Sequence, residues 1–239
     1  MIENESPKHP EGGTLYLVAS PIGNLADISY RAVEVLQHVD LIACEDTRHS
    51  AKLLKHYQVD KPKIAYHEHN EQAQTEHLIE RLKKGVAVAL LSDAGTPNLS
   101  DPGFRLVRAC QKQEVKVVPI PGPAACICAI TASGLPTNQF LYAGFLPPKK
   151  SARQKFLSKH KDCEFSLVLY ESRYRILKCL EDILFVLGRE RVVSVAKEVT
   201  KKHETIYSGP AGQVYEKFHQ SSQPKGEFVI VIAPDRFQL

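Results

Sequence analysis

The sequence predicts two α/β domains, and three observations lead to this expectation. Apolar runs of strand length alternate with segments of helical periodicity, which is typical of a parallel sheet covered by helices on both faces. The chain has 239 residues, enough for one large domain or two smaller ones. Pro121-Gly122-Pro123 interrupts the pattern sharply. We therefore expect a disordered tail over residues 1–12, a first domain over 13–121 and a second over 122–239.

Strands and helices alternate regularly through the first half. The run Val86–Leu91 is entirely apolar, which predicts a buried strand. Asp101-Pro102 has the composition of an N-cap followed by proline at the first helical position, so we expect a helix from there to Gln113. In chain order the prediction is strand 14–19, helix 29–37, strand 39–43, a helix after Glu45, strand 63–66, loop 67–71, helix 72–84, strand 86–91, helix 101–113 and strand 115–120.

The second half predicts a mixed sheet. A short, polar segment, HETIYSG, is suited to an edge strand. The predicted order is helix 124–133, a basic helix near 151–160, strand 166–171, helix 174–187, strand 191–199, strand 203–209, helix 212–219 and strand 227–233.

The composition is that of an ordinary globular protein, with 43% hydrophobic and 24% charged residues. No apolar run approaches the ~20 residues that a bilayer span needs, and the N-terminus does not resemble a signal peptide. The six cysteines favour free thiols in a reducing cytoplasm. Neither Cys126-x-Cys128 nor the pair His67 and His69 is completed by further ligands at metal spacing, so we expect no metal. From the free thiols and the lack of a long apolar run, we expect a cytoplasmic protein without a membrane anchor.

Two basic segments stand out although the net charge is only +4. The segment Pro147–Lys161 carries six Lys or Arg and no acid, and Lys197–His203 adds a second cluster. Such clusters neutralise phosphates, but a charge run is also typical of a solvated helix face.

Three loops rich in glycine and proline follow predicted strands: SPIGNL, SDAGTPNLSDPG and PGPAA. Glycine permits close backbone approach and proline stiffens a loop, so these loops can present N–H and C=O groups to a ligand. Ligands of open α/β sheets bind beyond the carboxyl ends of the strands. Neither a Walker lysine motif nor G-x-G-x-x-G is present, so an ordinary phosphate or dinucleotide site is not expected.

The motifs TLYLVASPIGNLADI, ACEDTR, YHEHNE, LLSDAGTPNLSDPGFRLV, VVPIPGPAA, SGLPT, GFLP, VLYES and KGEF occur in this order between about Gly13 and Pro234. In this combination the chain resembles the ribosomal RNA small subunit methyltransferase I family, within the tetrapyrrole-methylase-like superfamily. The resemblance implies S-adenosylmethionine in a cleft between two α/β domains, and a homodimer. It also implies methylation of a cytidine ribose 2′-hydroxyl in 16S ribosomal RNA, in the decoding region of the small subunit.

The resemblance also implies where the cofactor is bound. One wall of the pocket is expected to be the loop after the strand Val86–Leu91, with the neighbouring strand end, the domain hinge and parts of the second domain completing it. The predicted cofactor-binding residues are Pro21, Gly23, Ser92, Asp93, Ala94, Gly95, Thr96, Pro97, Leu99, Gly122, Pro123, Ala124, Ala125, Phe145, Leu146, Gly226 and Glu227.

A ribose hydroxyl is a poor nucleophile while protonated, so a base or a cation beside it would help. Asp46, Lys197 and Glu198 are the catalytic candidates, because CEDTR and AKEVTK lie near strand ends. Asp46 is equally suited to helix capping, with Arg48 in a surface ion pair, and positioning of the substrate alone remains an alternative to a base.

The predicted RNA-binding residues are Arg48, Asn70, Lys149, Lys150, Arg153, Lys155 and Arg173. Arg173-Tyr174 stands where the family usually has Pro-His, and PGPAA replaces PGPSA. Two alternatives to RNA methylation remain open. One is methylation of a tetrapyrrole or another small molecule on the same fold, and the other is a non-catalytic RNA-binding assembly factor.

Overall fold

In the computed structural model, which describes residues 9–220 and 225–239, the chain forms two compact units. The first unit ends at Ala124 and the second begins at Ala125. Residues 1–8 of the predicted tail lie outside the described residues. Glu11, nearer to the first strand, donates its backbone N–H to the Tyr16 hydroxyl (2.7 Å) and pairs with Lys116 (2.6 Å).

The first unit contains an all-parallel sheet of five strands, as the alternation of strands and helices predicts. The spatial order is β3-β2-β4-β1-β5. The elements are β1 Thr14–Val18, α1 Tyr30–His38, β2 Leu41–Cys44, α2 Thr47–His56, β3 Lys63–Ala65, α3 Glu71–Lys83, β4 Val88–Leu91, α4 Phe104–Lys112 and β5 Lys116–Ile120.

Both faces of this sheet are buried. Val18, Ile42 and Leu91 belong to one apolar cluster, which also receives the buried face of α1. Leu15 and Leu90 point to the opposite face, where they pack in a second cluster with residues of α3 and α4. Because successive residues of β1, β2 and β4 alternate between these clusters, each strand reads as a continuous apolar run.

The second unit contains a mixed sheet in the order β6-β7-β10-β8-β9, with one apolar core packed under α6, α7 and α8. Only the pair β6 and β7 is parallel among its strand pairs in the described residues. The elements are α5 Ala125–Ala132, β6 Phe140–Phe145, α6 Lys150–Lys159, β7 Ser166–Ser172, α7 Ile176–Leu187, β8 Val192–Lys197, β9 Thr205–Pro210, α8 Ala211–His219 and β10 Glu227–Ile232. The polar strand β9 lies at the edge, as expected.

Two elements differ from the expectations. The sequence did not predict β6, an edge strand whose register shifts between Tyr142 and Gly144. The predicted N-cap at Asp101 was wrong: α4 begins at Phe104 with Gly103 as its N-cap. Gly103 has φ +147°, far from helical values, so Asp101 and Pro102 cannot continue into the helix.

Candidate functional site

The three glycine- and proline-rich loops follow β1, β4 and β5, and β1 lies between β4 and β5 in the first sheet. All three strands are parallel, so their carboxyl ends lie at the same edge. This is the edge where α/β sheets bind ligands.

Hydrogen bonds to main-chain carbonyls connect the three loops. Ser20 and Gly95 join the loop after β1 to the loop after β4 through two backbone hydrogen bonds of 2.9 and 3.1 Å. The Thr96 hydroxyl donates to the Pro123 carbonyl in the loop after β5 (3.0 Å). A Cβ at Gly122 would lie 2.8 Å from the Cβ of Ala19, closer than two such atoms can approach.

The loop after β4 is held in an unusual backbone conformation. Gly95 has φ +86°, and two residues with side chains, Asn98 and Ser100, also have positive φ (69° and 65°). Left-handed conformations cost L-residues about 1–2 kcal/mol each, and they persist where the surrounding structure imposes them. Such strain is common at ligand sites, which agrees with a binding role for this loop.

One hydroxyl at this edge has no partner among the described residues. Ser20 is 1% exposed and its Oγ makes no hydrogen bond there, whereas Ser92 donates its hydroxyl to the Gly95 carbonyl (2.9 Å). A buried, unsatisfied hydroxyl beside the backbone of a glycine, Gly95, fits a ligand rich in hydrogen-bonding groups, such as a nucleoside. Sequence reasoning missed Ser20 because an isolated serine in a turn carries no signal.

Carboxylates gather beside these loops. Burial, and then the charges of Glu45 and Asp93, raise the pKa of Asp101 to about 7, opposed by a hydrogen bond with Ser92. Burial and the charge of Asp93 likewise raise the pKa of Glu45. Asp93 itself accepts the backbone N–H of Asp46 at 3.2 Å. Asp101 is therefore poised to change its protonation near neutral pH.

Asp46 caps helix α2. Its Oδ1 accepts the backbone N–H groups of Arg48 (2.8 Å) and His49 (3.4 Å), and its Oδ2 pairs with the Arg48 guanidinium at 3.3 Å. These hydrogen bonds, those to Arg48 foremost, lower the pKa of Asp46. The carboxylate is thus engaged as an acceptor, and its lowered pKa makes it a weaker base. A catalytic role for Asp46 stays a prediction.

In the second unit, several predicted residues converge on one edge of the sheet. The strands β6 and β7 are parallel and end there, so β10, which is antiparallel to β7, begins there. The strand β8 is antiparallel to β10 and therefore ends at the same edge. The residues at this edge, or in loops leaving it, are Phe145, Leu146, Lys149, Lys150, Arg173, Tyr174, Lys197, Glu198, Lys201, Gly226 and Glu227.

Glu198 is held at this edge by its neighbours. Its Oε1 accepts the backbone N–H of Glu227 (2.9 Å) and the Lys201 ammonium (3.0 Å). Burial acts to raise the pKa of Glu198, but these hydrogen bonds outweigh it and the pKa is lowered. A Cβ at Gly226 would lie 2.5 Å from the Cγ of Glu198, so a larger residue there would displace the Glu198 side chain.

Phe145 and Leu146 face different surroundings. The Phe145 ring is exposed and meets the edge of Tyr170 at a centroid distance of 5.7 Å. Leu146 is buried in the core of the second unit, and its carbonyl accepts a hydrogen bond from the Arg175 guanidinium at 2.7 Å.

The predicted RNA-binding residues divide into two groups. Arg48, Lys149, Lys150, Lys155 and Arg173 are exposed. Arg153 is only 4% exposed, and its Nε donates to Oδ2 of the buried Asp182 at 2.6 Å. Asn70 folds back on its own loop, bonding the Ala65 carbonyl and the His67 N–H. The guanidinium of Arg153 is therefore not available to a phosphate, because it is consumed by an internal ion pair.

Within residues 9–220 and 225–239, no group of three or more His, Cys, Asp or Glu side chains could hold a metal ion. Over the same ranges, no helix has both the length and the apolar character needed to cross a bilayer.

The fold and the glycine-rich edge define a class. The chain matches the family model of the Tetrapyrrole (Corrin/Porphyrin) Methylases over residues 14–215. Among solved structures, diphthine synthase has a TM-score of 0.72, 14% identity, and coverage of 94% of this chain and 91% of its own. Uroporphyrin-III-C-methyltransferase from Thermus thermophilus has a TM-score of 0.62, 19% identity, and coverage of 92% and 94%. The two units thus have the α/β fold of the tetrapyrrole methylases.

The relatives in sequence indicate a particular family within this class. Ribosomal RNA small subunit methyltransferase I of Synechocystis sp. is 49% identical over 221 residues, which are 92% of this chain and 79% of the relative. The protein of the same name from Escherichia coli O157:H7 is 47% identical over 227 residues, 95% of this chain and 79% of the relative. The chain belongs to the ribosomal RNA small subunit methyltransferase I family, as its motifs predicted.

Proposed function

We propose that this protein transfers a methyl group from S-adenosylmethionine to the 2′-hydroxyl of a cytidine ribose in 16S ribosomal RNA of the small subunit. The observation that supports this most is the first-unit edge, where three glycine- and proline-rich loops are joined by two main-chain hydrogen bonds and the Thr96 hydroxyl, beside an unsatisfied serine hydroxyl. Membership of a family named for ribosomal RNA methylation supports the choice of substrate.

The donor would be held chiefly by main-chain atoms of Ser92–Leu99, with Pro21, Gly23 and the residues Gly122–Ala125 beside them. Ser20 fits this role as well, since its buried hydroxyl lacks a partner among the described residues. Of the predicted second-unit residues, Phe145 offers an exposed ring, and Gly226 and Glu227 a backbone held by Glu198. Leu146 stays in the proposal only as the buried neighbour of Phe145. When bound, S-adenosylmethionine supplies a methyl group on a sulfonium, already activated for displacement.

RNA would bind through exposed cations. Lys149, Lys150 and Arg173 are exposed at the same edge of the second sheet as the partly exposed Lys197. Each Lys or Arg that neutralises a phosphate releases counterions, so binding should weaken steeply with salt. Arg48 and Lys155 remain in this proposal as further exposed cations, whereas the buried Arg153 does not.

In the transfer step, the ribose oxygen would take the methyl group, the donor would leave as a neutral thioether, and the hydroxyl proton would pass to solvent water. The protein must hold the hydroxyl in line with the methyl group and exclude water. Asp46 and Glu198 both have lowered pKa values and would be weak proton acceptors. Lys197 would act as a cation near the developing negative charge. Positioning therefore carries most of the proposed rate enhancement.

Transfer of a radiolabelled methyl group tests the proposal directly. The acceptors are small ribosomal subunits, protein-free 16S ribosomal RNA and uroporphyrinogen III, each with S-adenosylmethionine labelled at the methyl group. We expect label in the RNA, within a dinucleotide that survives alkaline hydrolysis, because a 2′-O-methyl group blocks attack on the neighbouring phosphate. Label in a base would refute the 2′-O assignment. Label in the porphyrinogen alone would establish the tetrapyrrole alternative.

RNA binding without transfer to any acceptor would favour the non-catalytic assembly factor. The solved tetrapyrrole methylases share only the fold at their low identities, so they lend the macrocycle no particular support. We also propose a cytoplasmic homodimer, which light scattering of the purified chain would detect as twice the 26.7 kDa chain mass.

A further inference from the structure

An aromatic ring stands exposed at the cationic edge of the second unit. Tyr174 is 74% exposed in the turn between β7 and α7. The guanidinium carbon of Arg173 lies 4.6 Å from the centroid of its ring, and Arg173 also donates a hydrogen bond to its hydroxyl. The ring is thus oriented by a cation instead of being buried in a core.

The turn that carries this pair is anchored from below. Arg175 donates its backbone N–H to the Ser172 carbonyl (3.0 Å), which closes the turn. Its guanidinium lies 3.2 Å from the carboxylate of Glu171, a side chain that is 2% exposed. The Glu171 carboxylate also accepts the backbone N–H of Ser172 at 2.8 Å. The backbone under Tyr174 is therefore fixed before any ligand arrives.

The same arginine fixes the neighbouring basic loop. Arg175 donates to the Leu146 carbonyl at 2.7 Å, in the loop that leaves β6 and leads to the exposed Lys149 and Lys150. Because β6 and β7 are parallel neighbours, this loop and the turn of Tyr174 leave the same edge of the sheet. An exposed ring, its partner guanidinium and two lysines therefore share one surface.

We propose that the face of Tyr174 opposite the Arg173 guanidinium is a stacking platform for an unpaired base of the RNA substrate, with Arg173 placed to contact the adjoining phosphate. This inference rests on the proposed function and deepens it, because it names single-stranded RNA as the form that is recognised. Aromatic side chains bind unpaired bases by stacking, and lysines and arginines around them hold the backbone. A paired base is already stacked within its helix, so a platform of this kind discriminates against duplex RNA.

Binding of RNA in the absence of the methyl donor tests the platform. The probes are a fluorescein-labelled single-stranded oligonucleotide of 16S sequence and a hairpin duplex that contains the same strand, followed by fluorescence anisotropy. We expect Tyr174→Ala to weaken binding of the single strand by about tenfold, within the range found for stacked bases. Tyr174→Phe keeps the ring and should stay within about twofold of the wild type, by the same stacking argument.

Two further measurements separate stacking from charge and from folding. Tyr174→Ala should leave the salt dependence of RNA binding unchanged, whereas Arg173→Ala should reduce its slope by about one phosphate contact. Phe185→Ala is the matched control, since Phe185 is 78% exposed near the end of α7, which leads away from this edge. It should leave RNA binding unchanged, and none of these exposed substitutions should alter the melting temperature appreciably.

The outcomes for the platform and for the proposed function are distinct. If Tyr174→Ala bound the single strand as tightly as the wild type, or lost affinity for single strand and duplex equally, the platform would be refuted. The proposed methyl transfer to RNA would still stand. If the wild type transferred no methyl group to RNA while Tyr174→Ala still showed its selective binding defect, the proposed function would fail and the platform would stand.

Discussion

Ser20 and Gly95 exchange both of their backbone hydrogen bonds, with N···O distances of 2.9 and 3.1 Å. The exchange forms an isolated antiparallel bridge between the loops that follow two parallel neighbours, β1 and β4. It brings the unsatisfied Ser20 hydroxyl beside the backbone of Gly95, whose φ of +86° glycine adopts without strain. The two loops are therefore joined directly, and we expect a substitution at Gly95 to alter the affinity of this surface for its ligand.

Gly95→Ala should weaken binding of S-adenosylmethionine by at least ~10-fold, a loss of ~1.4 kcal/mol. Gly95 has φ +86°, and an added methyl would meet the Ile22 side chain at 3.2 Å. Gly85→Ala is the matched control, because Gly85 has the same φ of +86° and an added methyl meets nothing within 4 Å. Both variants should lose ~1 kcal/mol of folding free energy through backbone strain, but only Gly95→Ala should lose donor affinity in isothermal titration calorimetry.

Equal donor affinity of these two variants would show that the loop after β4 does not line the donor site. Chemical denaturation of both proteins is the accompanying control, since comparable unfolding free energies confirm that the affinity difference is local.

Asp46→Asn should leave methyl transfer within about threefold of the wild type, because asparagine remains a good N-cap acceptor. Asp46→Ala removes the acceptors for the Arg48 and His49 N–H groups and should lower the melting temperature by a few degrees. Turnover by single-turnover methyl transfer and melting by calorimetry are measured on both variants. A loss of turnover of a hundredfold or more in a normally stable Asp46→Asn would restore the carboxylate as a proton acceptor.

Arg153 and Lys155 are two residues apart on α6 and should respond oppositely to alanine substitution. Arg153→Ala leaves the buried Asp182 without its ion pair and should lower the unfolding free energy by about 3–5 kcal/mol. Lys155→Ala should leave stability unchanged and reduce the salt dependence of RNA binding by about one contact. Denaturant unfolding and RNA titrations at several salt concentrations measure both quantities. Unaltered stability of Arg153→Ala would contradict the buried pairing.

The central strands could be predicted because burial on both faces leaves a direct trace in the sequence. The segments Leu41–Cys44 and Val88–Leu91 are apolar throughout and are fully buried. The meeting of the three loops at one edge could also be predicted, since topology alone places the carboxyl ends of parallel strands together. These signals are local in sequence, and so a single chain suffices to show them.

Other features depend on contacts between distant segments. Arg153 lies within a basic run, and nothing nearby reveals that Asp182 will bury it. The strand β6 was missed because its register shift at Gly144 disturbs the alternation of side chains. The burial of the Ser20 hydroxyl without a partner and the approach of Glu45 to Asp93 and Asp101 likewise follow only when separate strand ends meet.

Asp101 should make the protein less stable as pH rises from about 4 to about 7. Its pKa is raised to about 7 in the folded chain, by burial first and then by the charges of Glu45 and Asp93, whereas an unfolded aspartate releases its proton near pH 4. Between these values the folded state binds more protons than the unfolded state, so this group's contribution to stability falls with pH and is constant above the window. Asp101→Asn cannot ionise and should escape this loss.

We therefore expect the melting temperature of Asp101→Asn to equal that of the wild type near pH 4 and to exceed it by at least ~2 °C at pH 8. Differential scanning calorimetry at intervals of half a pH unit measures the difference between the two proteins, which removes the contributions of all other groups that both retain. Asp60→Asn, which removes an exposed carboxylate, is the control and should show no such rise. A wild type that gains stability relative to Asp101→Asn as pH increases would mean that the carboxylate is stabilised in its charged form, opposite to the effect of its burial beside Glu45 and Asp93.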